Sequence, residues 1–311
     1  MKQNNYRFSF LKVIFFIFIL IFTSSVRAEI KVVTTIKPLH SLIMNVMEGV
    51  GKPALIIEGS TSPHNFTLKP SHAKLLEEAD IVFWIGEGIE IFMEKPLESI
   101  VKDAQVISFM KMDNINKLKF REENIFESHD DHNHDEDGHE GDAHGEFDAH
   151  IWLDPSNAKV MVLEIAQELS ALDPANEKKY NANADKTILG IDNLINNINE
   201  SINKKARFIV FHDAYQYFEK RFGITSAGAL TLNTDALPGA KQISEIQNTI
   251  NEKGINCIFS EPQFNPKIIE TIAKDNDIKS GVFDPLGANI NSGKSLYFSL
   301  IDNLSKNLKG C

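Results

Sequence analysis

Apolar runs of strand length alternate with helix-spaced apolar stripes along most of the chain. Residues 30–35 form a short β-branched run, residues 41–50 carry helical spacing up to Gly51, and residues 54–57 are strand-like again. Ser71 is placed to cap a following helix. Residues 81–85 read as an apolar strand ending at Gly86, and residues 106–108 as another after an intervening helix. The pattern then breaks at residues 121–147, which lack apolar periodicity, and resumes with the strand-like Ile151-Trp152-Leu153. Residues 156–169 show helical spacing. Asp173-Pro174 opens a second helix, with Asp as cap and Pro in the first turn, that can run to Lys205, about 50 Å at 1.5 Å per residue. Beyond it, strands are expected at 207–211, 255–259 and 279–283, and helices at 216–222, 240–253, 266–275 and 295–308.

Strands alternating with helices predict parallel sheets with crossover helices. The expectation is an α/β protein of two Rossmann-like lobes with mostly parallel sheets, joined by a long rigid helix. Residues 29–172 form the first lobe, which includes the acidic loop 121–147. Residues 173–205 form the linking helix, and residues 206–311 the second lobe. Ligands of such sheets bind beyond the carboxyl ends of strands, so a site is expected in the cleft between the lobes.

The N-terminal 28 residues have a different character. Lys2, Arg7 and Lys12 precede an unbroken apolar run at residues 13–22, followed by Ser24, Ser25 and Val26-Arg27-Ala28. Ten apolar residues are too few to span a bilayer, which takes about 20, and the layout is that of a cleaved secretion signal ending at Ala28. No Cys lies near that point to accept a lipid, so a periplasmic location is expected. In an oxidising compartment Cys257 and Cys311 favour a disulfide, with two buried thiols as the alternative.

Charge sharpens the picture of the aperiodic stretch. The chain carries a net −11, and the signal contributes four positive charges and no negative ones, which leaves −15 on the mature part. Residues 122–148 hold twelve Asp or Glu and no Lys or Arg, so the remainder stands near −3. Acidity this local marks a cation-attracting, solvated loop rather than a generally acidic surface. Without a basic face, no nucleic-acid partner is expected.

Five of the ten histidines, His129, His132, His134, His139 and His144, lie in that loop, and they suggest a weak secondary metal-binding segment. Of the others, His64 sits in a turn after a strand, His150 directly follows the loop, and His212 ends the strand Phe208-Ile209-Val210-Phe211. Asp284 follows another strand in the corresponding way. Three imidazoles with a carboxylate or water suit tetrahedral Zn²⁺, whereas an oxygen-rich set suits Mn²⁺ or Mg²⁺. A zinc hydrolase uses similar ligands, but no His-Glu-x-x-His helix is present. His40 and His72 lie at helix starts and read as structural.

Several stretches, in order, resemble the ZnuA-type zinc-uptake solute-binding proteins, part of a larger metal-binding group that includes manganese binders and adhesin-like lipoproteins. They are Thr35-Ile36-Lys37-Pro38-Leu39-His40-Ser41, Pro63-His64 through Lys69-Pro70-Ser71, His150-Ile151-Trp152-Leu153-Asp154-Pro155, Asp173-Pro174-Ala175-Asn176, Phe211-His212-Asp213-Ala214-Tyr215, Glu261-Pro262-Gln263 and Asp284-Pro285-Leu286-Gly287. The resemblance implies that His64, His150 and His212 bind the metal. It places Asp284 where manganese binders have a fourth ligand, a place that water can take in zinc members. It also implies that Cys257 and Cys311 are bonded. Manganese members carry Glu where this chain has His212, which argues for Zn²⁺ over the manganese alternative. Pro63 stands where some zinc members have an acidic residue, and His72 where Asp is usual. By this resemblance the chain is a monomeric, non-enzymatic periplasmic component of an ABC transporter, handing Zn²⁺ to a membrane permease with its cytoplasmic ATPase.

Overall fold

The computed structural model describes residues 29–125, 146–232 and 238–311. The expected secretion signal, residues 1–28, and the five loop histidines, His129, His132, His134, His139 and His144, lie outside the described residues. Each lobe is built on a four-stranded, all-parallel sheet. The first has the order β2-β1-β3-β4, with β1 at Val32–Thr34, β2 at Ala54–Leu55, β3 at Ile81–Trp84 and β4 at Gln105–Ser108. The second repeats that order as β6-β5-β7-β8, with β5 at Phe208–His212, β6 at Ala229–Thr231, β7 at Cys257–Ser260 and β8 at Lys279–Val282. In both sheets the chain leaves the first strand in one direction and then crosses to its other side. That reversal opens a crevice at the carboxyl ends of the strands.

Burial explains why the strand sequences are continuous apolar runs. Every residue of β3 and β5 is buried, as expected for strands covered on both faces. In β5 the side chains alternate. Phe208 and Val210 join the large core that runs through both lobes, while Ile209 and Phe211 join a smaller cluster with Leu230, Ile246, Ile250 and Ile258.

The helices are α1 (Lys37–Val46), α2 (Pro70–Glu77), α3 (Glu94–Ser99), α4 (Pro155–Leu172), α5 (Glu177–Ser201), α6 (Gln216–Phe222), α7 (Ala240–Lys253), α8 (Lys267–Asp275) and α9 (Leu296–Asn307). Among the described residues, none is long and apolar enough to cross a membrane. Helix α5 packs against α4, α1 and α9, and α9 also packs against α1, so the final helix returns to the linking helix and the first lobe. Cys257 in β7 is disulfide-bonded to Cys311.

Four local expectations are corrected. Ile151–Leu153 is a turn of 3-10 helix rather than a strand, because Asp154 and Pro155 immediately start α4. The residues after Asp173 form a 3-10 turn at Pro174–Asn176 before α5 begins. The continuous helix is therefore 25 residues, about 37 Å at 1.5 Å per residue. Helix α1 starts at Lys37, four residues earlier than its apolar stripe suggests, with Pro38 in its first turn. Ser71 does not cap α2. Lys69 holds that place, and its backbone N–H donates to His72 Nδ1 at 3.2 Å.

Candidate metal centre

His64, His150 and His212 converge between the lobes, each offering a ligand atom within 4.8 Å of the others. His64 belongs to the loop between β2 and α2, where its backbone N–H donates to Ser62 Oγ at 3.3 Å. His150 immediately precedes the 3-10 turn. His212 is the last residue of β5, at the carboxyl end of the second sheet. The ring of His64 lies 5.6 Å from that of His150 and 5.9 Å from that of His212, and the latter two are 5.2 Å apart. Pro63, Ile89, Trp152, Phe264 and Leu286 add apolar walls to a small pocket around the rings.

Two buried carboxylates aim the rings. His150 Nδ1 lies 2.6 Å from Asp148 Oδ1, which also accepts the His150 backbone N–H at 2.9 Å. His212 Nδ1 lies 2.7 Å from Glu261 Oε1. A carboxylate only accepts, so each Nδ1 is the donor and each Nε2 turns inward. The two Nε2 atoms face one another at 3.3 Å. Two imidazole nitrogens about 2.0–2.1 Å from one tetrahedral zinc stand about 3.3 Å apart, so the spacing fits a shared cation. Burial disfavours a charged His212, but the Glu261, Asp213 and Asp148 carboxylates outweigh it and raise its pKa above the ordinary histidine value. The pocket thus favours positive charge at its centre.

Asp284 is not in that group of converging ligand atoms. Its Oδ1 accepts from Gln263 Nε2 at 3.0 Å, Leu286 N at 3.1 Å and Gly287 N at 2.9 Å, and its Oδ2 accepts from Ala288 N at 2.6 Å. Those bonds fold the loop after β8, which brings Pro285 and Leu286 to the pocket wall. His72 stacks on Phe66 at 5.5 Å, and His40 Nε2 lies 3.2 Å from Pro53 O, so neither joins the cluster.

Sequence reading did not pick out the orienting roles of Asp148 and Glu261. Asp148 is hidden in the acidic stretch, where one carboxylate looks like another. Its signal is the spacing Asp-x-His, which lets a carboxylate accept both the N–H and the ring of the residue two positions on. Glu261 follows β7, the strand beside β5, and that adjacency emerges only from the sheet order.

Comparison with known proteins follows the same line. The family model described as zinc-uptake complex component A periplasmic, ZnuA, matches residues 32–311. A high-affinity zinc uptake system protein ZnuA of Brucella abortus is 42% identical over 303 residues, covering 90% of this chain and 91% of its own. A crystal structure of ZnuA superposes with a TM-score of 0.73 at 22% identity, covering 90% of this chain and 99% of its own. The periplasmic zinc binding protein TroA of Treponema pallidum does so with a TM-score of 0.75 at 17% identity, covering 90% and 98%.

Proposed function

The chain belongs to the ZnuA family of periplasmic zinc-uptake components, and from that premise we propose that it captures Zn²⁺ on His64, His150 and His212 and delivers it to an ABC-type importer. It is a solute-binding protein of zinc transport and not an enzyme. Zinc here is cargo, held in the periplasm until a membrane permease with its cytoplasmic ATPase receives it.

The observation that carries the reading is the pair of inward Nε2 atoms 3.3 Å apart, each ring held from behind by a buried carboxylate. Neutral imidazoles orient lone pairs at one point, and a hydrogen bond from Nδ1 to a carboxylate raises the basicity of the ligating nitrogen. His64 supplies the third nitrogen and water the fourth position. With Asp284 engaged by three backbone amides, the donor set is nitrogen-rich, which favours Zn²⁺ over the oxygen-preferring Mn²⁺.

Competitive titration of the protein lacking residues 1–28 with Zn²⁺ and Mn²⁺ tests this. The alanine variants of His64, His150 and His212 should each weaken zinc binding by more than about 100-fold, beyond the typical loss from groups that only orient ligands. Asp284→Asn should keep zinc affinity within about tenfold, because its oxygens are engaged by Gln263 and three backbone amides. Retention of the tight zinc step in any histidine variant, or preference of the unmodified protein for Mn²⁺, removes the assignment.

A further inference from the structure

Arg121 comes from the segment that leaves the first lobe, yet its guanidinium is seated in the second. Nη1 donates to Asp213 Oδ1 at 2.8 Å and Nη2 to Glu219 Oε2 at 2.6 Å. Those carboxylate side chains are 4% and 2% exposed. Ser226 Oγ donates to the other Glu219 oxygen at 2.7 Å. Asp213 directly follows His212, and Glu219 lies in α6.

The backbone around Arg121 is fastened on both sides. Toward the second lobe, Leu118 N donates to Tyr217 Oη at 2.9 Å, Gln216 Nε2 to Lys119 O at 3.2 Å, and Ala229 N to Asn124 O at 2.8 Å. Ile125 pairs antiparallel with Gly228, beside β6. Toward the first lobe, Asp148 N donates to Leu118 O at 2.9 Å, and Lys119 pairs antiparallel with Phe147. One strap, residues 118–125, therefore touches both the turn that carries His150 and the lobe that carries His212.

Charge gives the guanidinium its task. Asp148, Asp213, Glu219 and Glu261 are all buried; the first two and Glu261 act on the His212 ring, and Glu219 acts on Asp213. Burial disfavours the Arg121 cation, but Glu219, Asp213 and Asp148 outweigh that and hold it charged. Its fork binds two of these carboxylates in fixed directions, which an ammonium cannot reproduce.

We propose that Arg121 is a positioning residue for the metal centre: by clamping Asp213 and Glu219 from the strap that also fixes the Asp148–His150 turn, it keeps His150 and His212 in register for one ion. The inference rests on the zinc reading above. Loss of the clamp lets the end of β5 and the His150 turn shift independently, so bound zinc escapes faster.

The test compares Arg121→Lys, Arg121→Met and Arg221→Met, with zinc affinity from chelator competition, zinc release from chelator-triggered stopped flow, and Tm of the metal-free protein. Arg221 is the matched control. It comes from the same helix as Glu219 and forms an equally close fork, at 2.6 and 2.8 Å, on Asp154, which stands four residues beyond His150 at the far end of its turn, whereas Arg121 clamps the residue next to His212. Arg121→Lys should weaken zinc binding about tenfold and Arg121→Met about 100-fold, mainly through faster release. Arg221→Met should lower Tm while keeping zinc affinity within about threefold. Where Arg121→Met fails to fold, Arg121→Lys carries the test. Unchanged zinc affinity and release in Arg121→Lys, or an equal loss in Arg221→Met, overturns the proposal. Failure of the zinc reading itself shows separately, as undiminished zinc binding in His212→Ala.

Discussion

Glu90 is a fully buried carboxyl beneath the turn that follows β3. Its Oε2 accepts the backbone N–H groups of Ile85 at 2.8 Å and Gly86 at 3.0 Å. Gly86 sits there at φ 152°, with Met110 Cβ only 2.9 Å from where a side chain would begin, so no larger residue fits the turn. Ile89, one residue before Glu90, lines the histidine pocket, which connects this carboxyl to the shape of the site. Burial pushes its pKa up from 4.5 to about 7, against the opposing pull of the Thr35 hydroxyl and the two amides. A raised pKa means that the folded protein keeps a proton that the unfolded chain has already lost. The stability linked to Glu90 is fully present below pH 4.5 and is lost as pH rises to about 7. A shift of this size corresponds to up to about 3 kcal/mol. Urea denaturation at about pH 5 and about pH 7.5 should show the unmodified protein losing more stability than Glu90→Gln across that window. Identical losses in the two proteins mean that Glu90 does not carry the proton.

The disulfide acts at the level of elements. It joins β7 to the last residue of the chain across 54 residues, a span that contains α8, β8 and α9. Closing a loop of that length removes enough unfolded-state entropy for about 4 kcal/mol. Replacing both cysteines by serine should lower the denaturation midpoint accordingly while leaving zinc affinity unchanged, because neither cysteine borders the histidine pocket. A zinc affinity that fell with stability would mean that α9 helps to hold the site. The same elements show what could be read in advance. Gln216–Phe222 and Ala240–Lys253 stand at the residues their apolar spacing indicates, because a Gly in the left-handed region stops each one, Gly223 and Gly254. Ala229–Thr231 was not expected, since a three-residue strand has too few positions to show a period of two. The break between α4 and α5 was half visible. Asp173-Pro174 has the pattern of a helix start, but the Asp173 side chain accepts from the side chains of Asn176 and Tyr180 and does not cap the turn, which leaves a 3-10 turn ahead of the true helix. Turn and strand-end placement marked the three histidines, whereas the carboxylates that aim them needed the sheet order.

At the scale of the whole molecule, the lobes are joined by more than α5. Lys37, at the start of α1, donates through Nζ to Gly287 O at 2.6 Å, Ala288 O at 3.0 Å and Ile290 O at 2.8 Å, in the loop that Asp284 folds. Ser41 Oγ donates to Lys294 O and accepts Tyr297 N, both at 3.1 Å. Trp152 Nε1 donates to Pro285 O at 2.8 Å, and Tyr297 Oη donates to Trp152 O at 2.8 Å. Together with the strap at Arg121 and the core that runs through both lobes, these bonds oppose a wide hinge opening, because any rotation about α5 breaks several buried hydrogen bonds at once. On the proposed site, zinc entry and exit then require only local displacement of a loop, and among the described residues the segment around His64, between β2 and α2, has no regular secondary structure of its own. Small-angle scattering curves of the metal-free and zinc-loaded protein should superimpose. Lys37→Met, which leaves three carbonyls without their cation, should make the metal-free curve broader while zinc loading restores the compact one. A large contraction of the unmodified protein on zinc binding would contradict this, since it would require the lobes to part along bonds that the fold keeps buried.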